Sequence, residues 1–143
     1  MNLYLEVVVV PVADVERAKA FYADTLGFSV DQDVAVTADY RVVQLTPPGS
    51  ACSIVVQSRP PSGEVATEPG SLKGLQLCVG DLRSARAELA ARGLEISDVQ
   101  VMDPVAGGFR VAGDDDPLDF AGFAFFQDPD GNGWGIQQMP GRD

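Results

Sequence analysis

A chain of 143 residues, 45% of them apolar, is long enough to bury a core, and that content argues against global disorder. Its 10 Lys and Arg against 21 Asp and Glu give a formal charge of −11, which disfavours nucleic acid and anionic membrane surfaces as partners. The same charge suits neutral or cationic small ligands, or serves solubility alone.

No stretch approaches the about 20 apolar residues of a membrane helix. No basic leader precedes the apolar run Val7 to Val10, so a cytoplasmic protein is expected. Leu5 to Val12 has the composition of a strand, with Pro11 marking an edge or an end. Asp14 is placed to cap a helix whose apolar stripe is Val15, Ala18, Tyr22 and Leu26, and Gly27 is placed to close it. Phe28 to Val30 begins a second strand, which Val34 and Val36 extend. Arg41 to Leu45 is a third, Pro47 to Ser50 a turn, and Cys52 to Gln57 a fourth strand. Residues 59–71, rich in Pro, Gly, Ser and Glu, have the character of a linker.

The pattern then restarts. Gly74 to Asp81 echoes Val7 to Asp14, and Asp81 is placed to cap a second helix carrying Leu82, Ala85 and Leu89. Gly93 ends that helix, and Leu94 to Ile96 begins the next strand. Met102 to Ala121 is an insertion with the acidic run Asp114-Asp115-Asp116 and a short strand around Phe109 to Val111. Phe123 to Phe126, the turn Asp128-Pro129-Asp130-Gly131-Asn132, and Trp134 to Gln137 form a hairpin. Gly131 to Ile136 parallels Gly49 to Ile54. The expectation is one domain over 1–143: module one over 3–58, the linker, and module two over 72–140. Cys52 and Cys78 lie in apolar runs and are expected to be buried, reduced thiols.

The segment Val12 to Phe28, with Asp14, Ala18, Phe21-Tyr22 and Leu26-Gly27-Phe28, resembles the first module of the vicinal oxygen chelate superfamily. Asp128 to Asn132 resembles its last hairpin. This is the group of glyoxalases, bleomycin-resistance proteins and dioxygenases, and the likeness spans nearly the whole chain. It implies an α+β fold of two tandem βαβββ modules forming a cup-shaped mixed sheet, and a homodimer. It also implies, in the metal enzymes of the group, four ligands (His, Gln or Glu) at matched strand positions. Carried over to this sequence, those positions are Val7, Ser53, Gly74 and Gly135, a set that cannot hold Zn²⁺, Ni²⁺ or Fe²⁺. The chain has no His. No metal site and no cofactor are therefore expected, and Ser–His or Cys–His nucleophilic chemistry is excluded.

Strand alternation then gives the residues lining the implied cup: Val7 and Val9 on the first strand, Ser53 on the fourth, Gly74, Gln76 and Cys78 on the fifth, and Gly135 and Gln137 on the last. Trp134 falls on the opposite, helix-facing side. The two Gln amides serve either a ligand or their neighbours. Such a wall, apolar with sparse amides and two glycines, suits a small organic ligand, aromatic or cationic. Three functions are consistent with the sequence: metal-free sequestration of a ligand, as in antibiotic resistance; a metal-independent isomerase, cyclase or lyase; and a divalent-metal glyoxalase-type lyase or dioxygenase using unorthodox ligands. The orientations of Arg41, Gln44 and Arg110 are not fixed at this level.

Overall fold

A computed structural model of the chain describes residues 1–58 and 67–142. Residues 59–66, most of the expected linker, lie outside the described residues. The chain divides into two compact units, Met1–Leu72 with Asp128–Asn132, and Lys73–Gln127 with Gly133–Asp143. No helix among the described residues is long and apolar enough to cross a membrane.

The first unit is a four-stranded sheet in the order β1-β4-β3-β2 with one helix. Its strands are β1 (Val7–Val9), β2 (Ser29–Thr37), β3 (Tyr40–Thr46) and β4 (Ser53–Gln57). β1 and β4 are parallel, with Val7 opposite Ser53, and the other pairs are antiparallel. Helix α1 (Val15–Ala20) is capped by Asp14, whose carboxylate accepts the Arg17 N–H at 3.1 Å. It runs on into a π-helical turn over Phe21–Thr25, and Gly27 at φ 78° reverses the chain into β2. The stripe Val15, Ala18 and Tyr22 is buried with Val10, Val43, Leu45, Ile54 and Val56 in an apolar core.

β1 is shorter than the expected 5–12. The Val10 N–H still bonds Val55, but the Pro11 carbonyl turns away and accepts from the Asn132 side chain at 2.8 Å. That bond belongs to a buried network around Asp128. Its Oδ1 accepts the backbone N–H groups of Asp130 (3.0 Å) and Asn132 (2.9 Å). Its Oδ2 accepts from the Tyr22 hydroxyl and the Asn132 amide, each at 2.7 Å. The turn is thus closed by a carboxylate that accepts from four donors, three of these bonds being buried.

The second unit repeats the plan as a five-stranded sheet, β5-β9-β8-β6-β7. The strands are β5 (Leu75–Val79), β6 (Gln100–Asp103), β7 (Gly108–Val111), β8 (Gly122–Gln127) and β9 (Gly133–Gln138). β5 and β9 are parallel, as β1 and β4 are. Helix α2 (Leu82–Ala91) starts at Asp81, which accepts both the N–H and the hydroxyl of Ser84, and Gly93 at φ 94° ends it. Its Leu82 packs in a core with Trp134, Ile136, Phe126, Ala124 and Val101. Trp134 lies parallel to Phe126 at 6.1 Å, on the helix side as expected.

One expectation is corrected here. Leu94 to Ile96 makes a single bridge, Ile96 to Phe126, and no strand. Ser97 takes over instead, its hydroxyl accepting the Phe125 N–H while its own N–H bonds the Phe125 carbonyl. The strand equivalent to β2 therefore forms later, at β6. Within the insertion, the short strand expected around Phe109 to Val111 is present as β7. β6 and β7 form a hairpin, and Arg110 on β7 bonds Asp103 at 2.9 Å and Asp116 through both terminal nitrogens at 2.8 and 2.9 Å. The hydrogen bond from Arg110, then the Gly113 N–H, hold the Asp116 carboxyl well below the usual carboxylate range.

Candidate functional site

Each sheet has one face under its helix and one face free of it. Seven of the eight predicted lining residues distribute between the helix-free faces of the two units, and Gly74 lies one residue before β5. In the first unit Val7 and Val9 alternate with Val8 and Val10; Val9 is 49% exposed whereas Val10 is 1% exposed. Ser53 pairs with Val7 and is buried. Its hydroxyl shares a hydrogen with Thr46 at 2.6 Å, and Thr46 donates in turn to Asp31. Arg41 points the other way, toward α1, where it bonds Asp33 and Glu16. The hydrogen bond from Arg41, then that from Lys19, keeps the Asp33 carboxyl far below its ordinary pKa.

In the second unit the pairing register puts Gln76 opposite Gly135 and Cys78 opposite Gln137 on β5 and β9. β8 adds Phe125 opposite Gly135 and Phe123 opposite Gln137. These six residues share one face by strand alternation. β7 brings Phe109 to it. Its ring stands edge-on to Phe123 (5.2 Å) and Phe125 (5.3 Å), and the latter two rings are parallel, 6.0 Å apart. An open pocket of about 440 Å³ in this unit is lined by Gly74, Gln76, Phe125 and Gly135, and also by Phe126 and Trp134.

The amides are ordered by their partners. Gln137 donates to the Phe120 carbonyl at 2.7 Å, and Gln76 donates to the Gln137 oxygen at 2.6 Å. The sequence left open whether neighbours or a ligand use these amides; Gln137 has a protein partner on both sides, and Gln76 has one through its nitrogen alone among the described residues.

Three expectations change. Gly74 lies one residue before β5, at φ 85°, with open space where a Cβ would stand, so it serves the turn into the strand. Counting back from the helix cap therefore lands two residues from Gln76, the residue that faces Gly135. Gly135 does not leave a void: a Cβ there would meet the Phe125 ring at 3.3 Å, so the ring covers the glycine backbone. Cys78 is exposed, not buried, because the helix-free face carries it; Cys52 is half-buried and both thiols are free.

The phenylalanines are the functional candidates that the strand count alone did not single out. The signal was present in the hairpin: residues 123 and 125 share parity, and the turn fixes them opposite 137 and 135.

The donor set does not suit a metal. Val7, Ser53, Gly74 and Gly135 offer one hydroxyl, already bonded, and the Phe125 ring fills the space a ligating side chain at 135 would need. No group of three or more Cys, Asp or Glu among the described residues is arranged to hold one. Asp128, Asp130 and Asn132 have the alternate spacing used in calcium loops, yet both oxygens of Asp128 are taken up by the turn itself.

Comparison with known proteins agrees with this architecture. The family model of the Glyoxalase/Bleomycin resistance protein/Dioxygenase superfamily matches residues 4–136. YwkD of Bacillus subtilis (strain 168), an uncharacterized protein, is 31% identical over 121 residues, covering 82% of this chain and 83% of its own. Among solved structures, TnmS3, an antibiotic binding protein from Streptomyces sp. CB03234, is 31% identical with a TM-score of 0.70, covering 96% of this chain and 97% of its own. A glyoxalase/bleomycin resistance protein from the same source is 32% identical with a TM-score of 0.67, covering 94% of this chain and 100% of its own.

Proposed function

The chain belongs to the Glyoxalase/Bleomycin resistance protein/Dioxygenase superfamily, and from that premise we propose that it is a sequestration protein holding a small organic ligand without a metal. The observation that carries this reading is the helix-free face of the second sheet. Three clustered phenylalanine rings offer apolar and π surface, and two amides at their edge offer sparse hydrogen bonds. This is the composition of a pocket for a flat organic molecule. The antibiotic-binding relative supports the same class of role. The net charge of −11 favours a cationic ligand over an anionic one.

Sequestration is favoured over metal-independent catalysis by the chemistry of that face. Gln76 and Gln137 are amides, no carboxylate or imidazole stands among the residues assigned to that face, and its one thiol, Cys78, has no general base among them. We place the protein in the cytoplasm as a homodimer. Exposed apolar side chains in the first unit, such as Val30, Val34 and Val36 along the edge strand β2, support self-association.

The test is thermal-shift screening of chelator-treated protein against cationic antibiotics and flat aromatic metabolites. A stabilising compound recovered unchanged, with the shift lost in Phe125→Ala, is the expected result. Turnover of the compound, or a shift that needs added metal, overturns the proposal.

A further inference from the structure

The two glutamines form a relay with a fixed direction. A backbone carbonyl can only accept, so the Phe120 oxygen requires the NH₂ group of Gln137 to face it, at 2.7 Å. The Gln137 oxygen must then point back along the sheet, where it receives the Gln76 amide nitrogen at 2.6 Å. That orients Gln76 as well, and its own carbonyl oxygen is the end of the chain. This oxygen accepts no hydrogen bond among the described residues, and Gln76 is exposed on the face that carries Phe125. Neither amide can flip without setting an NH₂ against an NH₂ or a carbonyl against a carbonyl.

The anchor of the relay is held in an unusual backbone conformation. Phe120 is the one non-glycine residue with positive φ, 63°, among the described residues. Its N–H donates to Gln138 at 2.8 Å while its carbonyl receives Gln137. A phenylalanine in the left-handed region carries a conformational cost and persists where surrounding bonds fix it. Here those bonds aim its carbonyl at the relay.

We infer that this relay makes Gln76 a specificity-determining residue: its side-chain oxygen selects ligands that present a hydrogen-bond donor (a phenolic hydroxyl or an amine) at the edge of an aromatic ring system. Gln137 is the positioning residue that sets the polarity. The inference rests on the second sheet's face being the ligand site and adds the chemistry that the ligand must carry. Ring surface on Phe123 and Phe125 accommodates any flat molecule; the acceptor oxygen distinguishes a donor from an acceptor in the same place.

The experiment compares 2-naphthol with 2-methoxynaphthalene, which share a ring system and differ in whether the oxygen can donate. Affinities are read from NMR titrations of isotope-labelled protein. The wild type should bind 2-naphthol about five-fold more tightly, the worth of one hydrogen bond of ordinary strength. Gln76→Leu should bring the two affinities together, and Gln137→Leu should do so as well. Equal affinities in the wild type, with both lost in Phe125→Ala, would sink the selectivity inference and leave the site standing. A preference that survives Gln76→Leu would assign the donor contact elsewhere and overturn it. Failure of both compounds to perturb Phe123 or Phe125 would overturn the site and the inference together.

Discussion

Replacing Asp128 by Ala tests what holds the hairpin turn. The residue is 5% exposed, and its partners Tyr22 and Asn132 are fully buried. The substitution removes the acceptor of four hydrogen bonds, between 2.7 and 3.0 Å, from two backbone N–H groups, one hydroxyl and one amide. Bonds to a charged acceptor contribute about 1.5–3 kcal/mol each when counted singly. They share one carboxylate and one short turn, so the losses do not add. The expected destabilisation is about 3–5 kcal/mol, the range for breaking a buried charged network. Urea unfolding followed by circular dichroism measures it, and the melting temperature should fall by about 10 °C. Asp128→Asn keeps an oxygen for the two backbone N–H groups and should fall between the wild type and the alanine variant. A loss below about 1 kcal/mol in Asp128→Ala would refute the claim that this carboxylate closes the turn.

Further outcomes follow from the geometry. Asp14→Ala and Asp81→Ala should each lower the melting temperature by removing a helix cap; unchanged melting in both would deny the duplicated helix starts. The Asp33 carboxyl is depressed by Arg41 and Lys19, so its contribution to stability is full above the unfolded carboxylate pKa, about 4, and lost as pH falls through the folded value. Arg41→Met should shift the acid unfolding transition to higher pH, and an identical acid limb in both proteins would contradict the assignment. Cys78, exposed, should be modified by Ellman's reagent before the half-buried Cys52; mass spectrometry of the partly modified protein identifies which thiol has reacted.

Much of the fold was legible because local rules and tertiary needs coincide. Asp14 and Asp81 cap helices, Gly27 and Gly93 end them, and alternation in β5 and β9 sorted Gln76 and Gln137 from Trp134 and Ile136. The strand expected at Leu94 failed because a serine side chain supplied the hydrogen bond that a strand would have made. The insertion at 102–121 was obscure because its order comes from Arg110 reaching two carboxylates, seven and six residues away in sequence. At the candidate site the sequence indicated the face but not its contents. Period alone leaves a glycine as empty space, whereas the Phe125 ring across the sheet fills the place beside Gly135. Likewise, no pattern in the sequence states that the amides of Gln76 and Gln137 point one way. That follows from the Phe120 carbonyl, seventeen residues from Gln137.

We propose that the helix-free face of the second sheet receives a small organic molecule and needs no metal to do so, and one titration puts this to the test. It is tested most directly by titrating chelator-treated, isotope-labelled protein with 2-naphthol and following the aromatic resonances. Saturable shifts confined to Phe109, Phe123, Phe125 and the Gln76 and Gln137 amides are expected, unchanged when a divalent cation is added. Shifts that map to other residues, or binding that appears only with the cation present, would contradict it.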